Sequence, residues 1–328
     1  RGKRTGGGEP EFELQPKKSN RSEATASVSK AAGDDPDVTH GAEILVAVSL
    51  GKDEGKNGVT FHTGPGVGTV TRPGLALEVG EPAINPGPRT MMETAIRDIT
   101  RIYGNGDPAS PGSVSVTVSV VDGERLAEKT LNKRLGIEGG LSILGTTGVV
   151  IPYSCSSWIH SIHRGVDVAR ASGLTHIAAA TGRTSEAAVQ KILGLPDTAL
   201  IDMGDFAGGL LKYLRKNPVE RLTLAGGIGK ITKLAQGAVD LHSSKSRVDM
   251  EALSNQLSAL GADDATAAKA RAANTAGEVL DMAQGMGLAL GDMIARQARE
   301  AALATLSGDI AVEVMIFDTQ GDKAGHAA

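Results

Sequence analysis

Alternation of apolar and polar positions marks the first half of the chain as strand-rich. The run AEILVAVSL (residues 42–50) alternates and is β-branched, and SVSVTVSVV (residues 113–121) alternates strictly, as strands with one buried face do. Shorter strand-like pieces at 58–62, 68–71 and 75–79 are punctuated by Gly and Pro. The period changes at 89–103, where Met91, Met92, Ala95, Ile96, Ile99 and Ile102 recur at helical spacing before Gly104 and Gly106 stop them. A second, short helix is predicted over 123–131. Residues 1–30 have little apolar periodicity before 24–28 and read as loop or frayed strand.

The second half carries a different rhythm. A helix is predicted over 156–171, then three strands at 175–180, 199–203 and 221–225, each followed by a helix, at 185–193, 206–216 and 228–238. Strands separated by helix-length connections need crossovers, and crossovers imply a parallel sheet. Residues 249–306 are rich in Ala, Leu and Met and predict two or three closely packed helices; 309–318 (DIAVEVMIFD) predicts a last strand, with a mobile tail after Gly321. The chain is thus expected to hold two domains: an α+β domain over 1–138, loop-rich over 1–30, and an α/β domain over 139–328.

Composition narrows the function. With 34 Lys+Arg against 38 Asp+Glu the net charge is −4, which lacks the basic balance of a phosphate-backbone binder. One Trp, three Tyr and four Phe leave too few flat side chains for base stacking of the RNA-binding kind. Cys155 is the only cysteine, so neither a disulfide framework nor a multi-cysteine metal site can be built, and a reducing cytoplasm is expected. No apolar run reaches the length of a membrane span. The sequence opens at Arg1 without methionine, as expected of a chain trimmed at its amino terminus. The 43 glycines exceed the ordinary share and imply many turns or close backbone approaches.

The glycines cluster where ligands bind in open parallel sheets, beyond the carboxyl ends of strands: Thr181-Gly182-Arg183, Gly204-Asp205 and Gly226-Gly227-Ile228-Gly229-Lys230. GGIGK fits neither GxGxxG nor GxxxxGK[ST], which weakens NAD and ATP as ligands. Lys230 lies in the first turn of its helix, against the dipole preference; it either extends into solvent, the commoner outcome, or meets an anionic ligand. Asp205 suits the N-cap of the 206–216 helix. Gly145-Thr146-Thr147-Gly148 is either a nucleoside- or carboxylate-binding loop or a capped turn. Asp34, Asp35 and Asp37 either gather around a ribose, an amino group or a cation, or form an Asp/Pro turn. His160 and His163 share a helix face beside Trp158, where ordinary packing outweighs a metal role, and no protein-bound metal is expected.

Several blocks together carry a resemblance: KAAGDDPDVTHGAEI (30–44), GVGTVTRPGLALEVGEPAINPGPRTMM (66–92), LNKRLGIEGGLSILGTTGVVIPYS (131–154), MGDFAGGLL (203–211) and LAGGIGKITKLAQG (224–237). From about Lys30 to Asp318 the chain resembles the CbiD family, the cobalt-precorrin-5B C1-methyltransferases of anaerobic cobalamin biosynthesis. Departures are Ala31 and His40 in the first block and the lack of an amino-terminal RTGxTTGxCAAAA-like stretch. The resemblance implies methyl transfer from S-adenosylmethionine to C1 of a cobalt-containing corrin precursor, yielding cobalt-precorrin-6A, on a two-domain α/β architecture.

Such a displacement asks the protein mainly to align carbon, methyl and sulfur in a water-excluding cleft. On that basis Gly145, Thr146, Thr147, Gly148, Gly226, Gly227 and Gly229 are expected at the methyl donor, with Asp34, Asp35 and Asp37 at its ribose or amino group. Arg72, Arg89, Arg134 and Lys230 are expected at the substrate's carboxylates. The expected partner is the corrin precursor, without nucleic acid or membrane; self-association and contacts with other enzymes of the pathway stay open. An NADPH-dependent precorrin reductase and a non-catalytic tetrapyrrole carrier are the alternatives.

Overall fold

The computed structural model describes residues 13–32, 37–51, 58–103, 113–144 and 155–328, and the chain divides into two compact units, 1–154 and 155–328. The first unit is built on a five-stranded sheet. Its strands are β1 (Gln15–Ser19), β2 (Glu23–Ser29), β3 (Glu43–Leu50), β4 (Gly58–Thr63) and, after β5 (Gly66–Val67), β6 (Thr69–Val70) and α1 (Pro86–Tyr103), β7 (Ser113–Val120). The order is β1-β2-β3-β7-β4, with β4 parallel to β7 and the other neighbours antiparallel. Register puts Ile44 opposite Val120, Val46 opposite Val118 and Val48 opposite Val116, so the strict alternation becomes one continuous apolar face. Met92 and Ile96 of α1 pack against that face.

A junction of three glycines closes this unit. After β7 come α2 (Gly123–Ala127), β8 (Ile137–Glu138) and β9 (Gly140–Leu141), and β9 pairs with β5 while β8 pairs with β6. A Cβ on Gly66 would lie 2.0 Å from Val120 O, one on Gly123 would lie 2.1 Å from Gly66 O, and one on Gly140 would lie 2.3 Å from the Gly66 carbonyl. Backbone touches backbone there, which only glycine permits.

Sequence expectations differ from the structure at definite places. The domain boundary falls after residue 154 rather than 138, because Gly140–Leu141 pair with β5 and Ile143 N donates to Ala83 O at 2.7 Å. Residues 75–79 are no strand: Gly80 N bonds Val70 O and Val70 N bonds Glu81 O, which turns the intervening stretch into an excursion pinned by buried Leu77. Helix α2 stops at Ala127, because the chain beyond it turns and the buried Asn132 side chain donates to Gly140 O. Part of 1–30 forms β1 and β2; β1 is exposed along its whole length, which explains its weak pattern.

The second unit holds α3 (Cys155–Ala171), β10 (His176–Ala180), α4 (Arg183–Leu193), β11 (Leu200–Asp202), α5 (Ala207–Leu214), β12 (Arg221–Gly227) and α6 (Ile228–Ala235). Helices α7 (Met250–Ala259), α8 (Asp264–Ala272), α9 (Ala276–Gly285) and α10 (Leu290–Leu306) follow, then β13 (Ala311–Phe317) and β14 (Lys323–Ala327). The sheet order is β11-β10-β12-β13-β14, parallel from β11 to β13 and antiparallel at β14. Strands β10, β12 and β13 are buried on both faces, as their nearly unbroken apolar sequences require. The larger core lies among α3, α5, α6 and α10 and their face of the sheet; α4 covers a smaller cluster with Ala178, Ala180 and Phe317.

The segment after Gly321 is not a loose tail but the edge strand β14, docked on α10 so closely that a Cβ on Gly291 would lie 1.8 Å from Ala324 O. The two units together make the fold mixed, α+β in the first and α/β in the second.

Candidate functional site

Strand order sets a point of divergence in the second unit. The chain leaves β10 to place β11 on one side and returns to place β12 on the other, so the connections diverge between β10 and β12. In open α/β sheets ligands sit at that divergence, outside the carboxyl ends. Here those ends are Thr181-Gly182 after β10 and Gly226-Gly227, the last two residues of β12; they are tied by Thr181 N donating to Ala225 O at 2.9 Å.

Three glycines of GGIGK serve two purposes. A Cβ on Gly226 would lie 2.8 Å from Thr181 Oγ1 and 2.9 Å from Ile231 Cδ1, so that position is glycine for packing. Gly227 has only Phe317 O at 4.0 Å, and Gly229, like Gly182, has nothing within 4 Å. Those positions leave space open at the edge. The helices that begin here, α4, α5 and α6, have no side-chain N-cap, whereas Asp249, Asp263 and Thr275 cap α7, α8 and α9. First-turn N–H groups of α4 and α6 therefore remain available at the edge to an anionic or hydroxyl-bearing group, whereas in α5 Gly208 N already donates to Val239 O at 2.8 Å.

Lys230 spans the opening. Its Nζ donates to Thr181 O at 2.9 Å and sits 3.0 Å from Asp205 Oδ1. The expectation of a solvated lysine is corrected: the side chain is half-buried and stitches the ends of β10, β11 and β12 together. Asp205 is corrected with it. Phe206, not Asp205, occupies the N-cap position of α5, and the Asp205 carboxylate is drawn to the ammonium instead. Nothing in the local sequence around Asp205 signals that pairing; both residues follow strand ends, and only the strand order makes them neighbours.

The α3 face holds aromatic groups near this edge. Trp158 Nε1 donates to Asp202 O at 3.2 Å, at the end of β11. His163 stacks on Tyr213 with centroids 3.9 Å apart and Nε2 3.3 Å from Gly209 O; burial lowers its pKa. Tyr213 donates to Asp167 at 2.6 Å, and burial with that bond pushes its phenol up to about 12. His163 is thereby committed to packing, and its ring lies 6.2 Å from that of His160. Cys155 is exposed at the first position of α3.

In the first unit, Asp37 is committed to its own loop. It pairs with Lys30 and accepts from Thr39 N at 2.8 Å and Thr39 Oγ1 at 2.7 Å; burial raises its pKa, but these bonds outweigh it and hold the carboxyl below its ordinary value. His40 Nδ1 accepts from Ala32 N at 3.2 Å, closing the other side of the loop. Asp34, Asp35, Gly145, Thr146, Thr147 and Gly148 lie outside the described residues.

Arg89 is also spent internally. Its Nε donates to Ile84 O at 2.8 Å, Nη1 to Glu81 at 2.8 Å and Nη2 to Pro82 O at 3.2 Å, with the guanidinium 5.5 Å from the Phe61 ring centre. Expected as a fork for a substrate carboxylate, it instead braces the segment before α1. Arg72 lays its stem over Gly136, whose absent Cβ would lie 2.4 Å away, and Arg134 precedes the same turn by two residues. Both are half-buried. Arg72 and Arg134 thus flank one turn of the first unit, whereas Lys230, Gly226, Gly227 and Gly229 belong to one edge of the second.

Comparison with known proteins decides the family. The CbiD family model matches residues 3–152, and the model for the CbiD C-terminal domain matches 240–328. A protein of Agrobacterium fabrum is 53% identical over 98% of this chain and 83% of its own length. The chain belongs to the CbiD family. That relative carries the name cobalt-precorrin-5B C(1)-methyltransferase, as does one from Bradyrhizobium sp. strain BTAi1, 55% identical over 92% of this chain and 79% of its own. A crystal structure of cobalamin biosynthesis protein (cbiD) from Archaeoglobus fulgidus aligns at 27% identity over 62% of this chain and 60% of that chain, with a TM-score of 0.30. In this CbiD chain the edge with Gly226, Gly227, Gly229 and Lys230 lies between the two matched segments, inside the stretch aligned with the Agrobacterium protein.

Proposed function

We infer that this chain methylates C1 of cobalt-precorrin-5B, with S-adenosylmethionine as the donor and cobalt-precorrin-6A as the product. The observation that carries the reading is 53% identity, over 98% of the chain, to a protein named for that activity. Cobalt belongs to the substrate.

The edge at β10 and β12 fits such a donor. Gly227 and Gly229 leave room for a ligand to lie against the backbone, and the uncapped amino ends of α4 and α6 suit a carboxylate or ribose hydroxyls. The sulfonium supplies the activation of the methyl group, so the protein needs no nucleophile of its own. What the chain contributes is alignment: Lys230, fixed between Thr181 and Asp205, sets the spacing of the glycine turns. Its charge is already balanced by Asp205, which keeps the edge from repelling a cationic donor. In the first unit, Arg72 and Arg134, half-buried at one turn, are the arginines proposed to meet substrate carboxylates.

The test is a single-turnover incubation with methyl-labelled S-adenosylmethionine and cobalt-precorrin-5B, followed by mass spectrometry and NMR location of the label. Label at C1 is expected. Label at another carbon, or none, refutes the reading; NADPH oxidation without methyl transfer would move it to a reductase.

A further inference from the structure

Trp158 is the largest apolar side chain on α3 and the single tryptophan of the chain, yet 46% of it is exposed. Burial of an indole is strongly favourable, so an ordered indole left half in water is informative. This one is ordered. Its Nε1–H is held by Asp202 O at 3.2 Å, and the ring lies against Gly204, where a Cβ would come within 3.3 Å of Trp158 Cζ2 and 3.4 Å of Nε1. Gly204 has φ +52, so the chain turns beneath the ring at a residue whose missing side chain lets it approach. Phe206 buttresses it, with centroids 6.5 Å apart and planes tilted by 47°.

The position matters as much as the exposure. Gly204 directly precedes Asp205, and Asp205 holds Lys230, which bonds Thr181 at the divergence of the strands. The indole therefore belongs to the same edge as the open glycines. One hydrogen bond and one backbone contact fix it before any ligand arrives, so stacking on it costs little side-chain entropy.

We propose that Trp158 is the stacking platform for the purine ring of the methyl donor, and so a positioning residue for the reaction. The inference rests on the donor reading above and adds the surface that recognises the base. An indole face matches a purine in size, both being fused bicycles, and base–aromatic stacking tolerates any orientation of the ring edge. A corrin precursor is larger, puckered and ringed with carboxylates, and a single indole covers little of it. Gly182, Gly227 and Gly229 then take the polar remainder of the donor at the helix amino ends.

The test uses S-adenosylhomocysteine as probe, binding to the full chain followed by calorimetry and by emission of Trp158, which reports without a label because no other tryptophan is present. Saturation is expected to change the emission. Trp158→Leu is expected to weaken binding roughly tenfold, and Trp158→Phe, which keeps a flat ring but also lacks the bond to Asp202, by clearly less. Thermal melting of each variant checks that the fold persists. Unchanged affinity in Trp158→Leu with silent emission in the wild type overturns the platform while leaving the donor reading intact, and equal losses in both variants overturn stacking as the cause. Absence of any binding to the wild type overturns both. If cobyrinic acid, a carboxylate-bearing corrinoid, depends on Trp158 for affinity and S-adenosylhomocysteine does not, the purine assignment is wrong.

Discussion

The ammonium of Lys230 lies 3.0 Å from the carboxylate of Asp205, and the same nitrogen donates to the carbonyl of Thr181 at 2.9 Å. One side chain thereby joins the loops after three parallel strands. Its partners lie on separate loops, so the bond stabilises the shape of an edge rather than any one element.

Lys230→Met is expected to cost little stability, about 0.5–1 kcal/mol, because the pair is partly exposed and the stem still packs. Donor affinity is expected to fall by about tenfold as the loops lose their spacing. Asp205→Asn should act through the same bond, so the double variant should be less than additive. Calorimetric Kd values with S-adenosylhomocysteine check this; strict additivity would separate the two residues.

The glycines of GGIGK should respond in opposite ways. Gly226→Ala forces a Cβ against Thr181 and Ile231 and is expected to destabilise the fold by about 1–3 kcal/mol. Gly229→Ala meets nothing within 4 Å and should hold or raise stability by about 0.4–1 kcal/mol while weakening the donor. Denaturation midpoints and donor Kd values distinguish the packing glycine from the open ones. Equal melting of the two variants would contradict the assignment.

Arg89→Ala removes bonds to Ile84 O, Glu81 and Pro82 O at once. The expected loss is about 3 kcal/mol in stability, since charged hydrogen bonds of this kind contribute about 1.5–3 kcal/mol and a half-buried Glu81 is left without its partner. Arg89→Lys should not restore it, because an ammonium cannot make the three divergent bonds. Urea denaturation measures the loss. A raised KM with unchanged stability would return Arg89 to the substrate.

Acid should loosen the second unit in two stages. His176 Nε2 lies 2.8 Å from Thr223 Oγ1, Thr223 donates to Glu313 at 2.9 Å, and His326 Nε2 lies 2.8 Å from the other Glu313 oxygen. Burial and nearby Arg221 lower the His176 pKa below its ordinary 6.5. The unfolded chain therefore takes up that proton first, and stability falls as pH drops below 6.5. For Glu313 burial raises the pKa, but the bonds from His326 and Thr223 and the charge of Arg221 outweigh it and hold it under 4.5. Its contribution is present above 4.5 and is lost as pH falls through the lower folded value. Urea titrations from pH 7 to pH 3 should follow this course, and Glu313→Gln should flatten the lower limb while deepening the upper one, because the Glu313 carboxylate otherwise raises the His176 pKa.

Much of the architecture is legible in the sequence. The valines of 114, 116, 118 and 120 announce a one-faced strand by alternation, and the strand–helix succession after residue 175 announces a parallel sheet by the length of its connections. The glycine turns at the carboxyl ends were legible as well, since a turn residue after an apolar strand is a local signal. Leu75 and Leu77 misled for the same reason. Two alternating leucines imitate a strand, but Leu77 is buried with Val70, Ala83 and Ile137 and Leu75 packs against the same cluster, so both pin an excursion rather than line one face of a sheet.

Sequence alone determined the principal helices and strands and their order, because helical and strand periodicity depend on residues two, three or four apart. It also determined the family, through blocks such as GDDPDVTH and LAGGIGK. Only tertiary structure decided that β10 lies between β11 and β12, that Asp205 meets Lys230 instead of capping α5, that Arg89 turns inward and that residues 323–327 pair with β13. A charged side chain takes whichever partner the non-local packing brings within about 3 Å, and that distance is set by strand order and register, which no local pattern encodes.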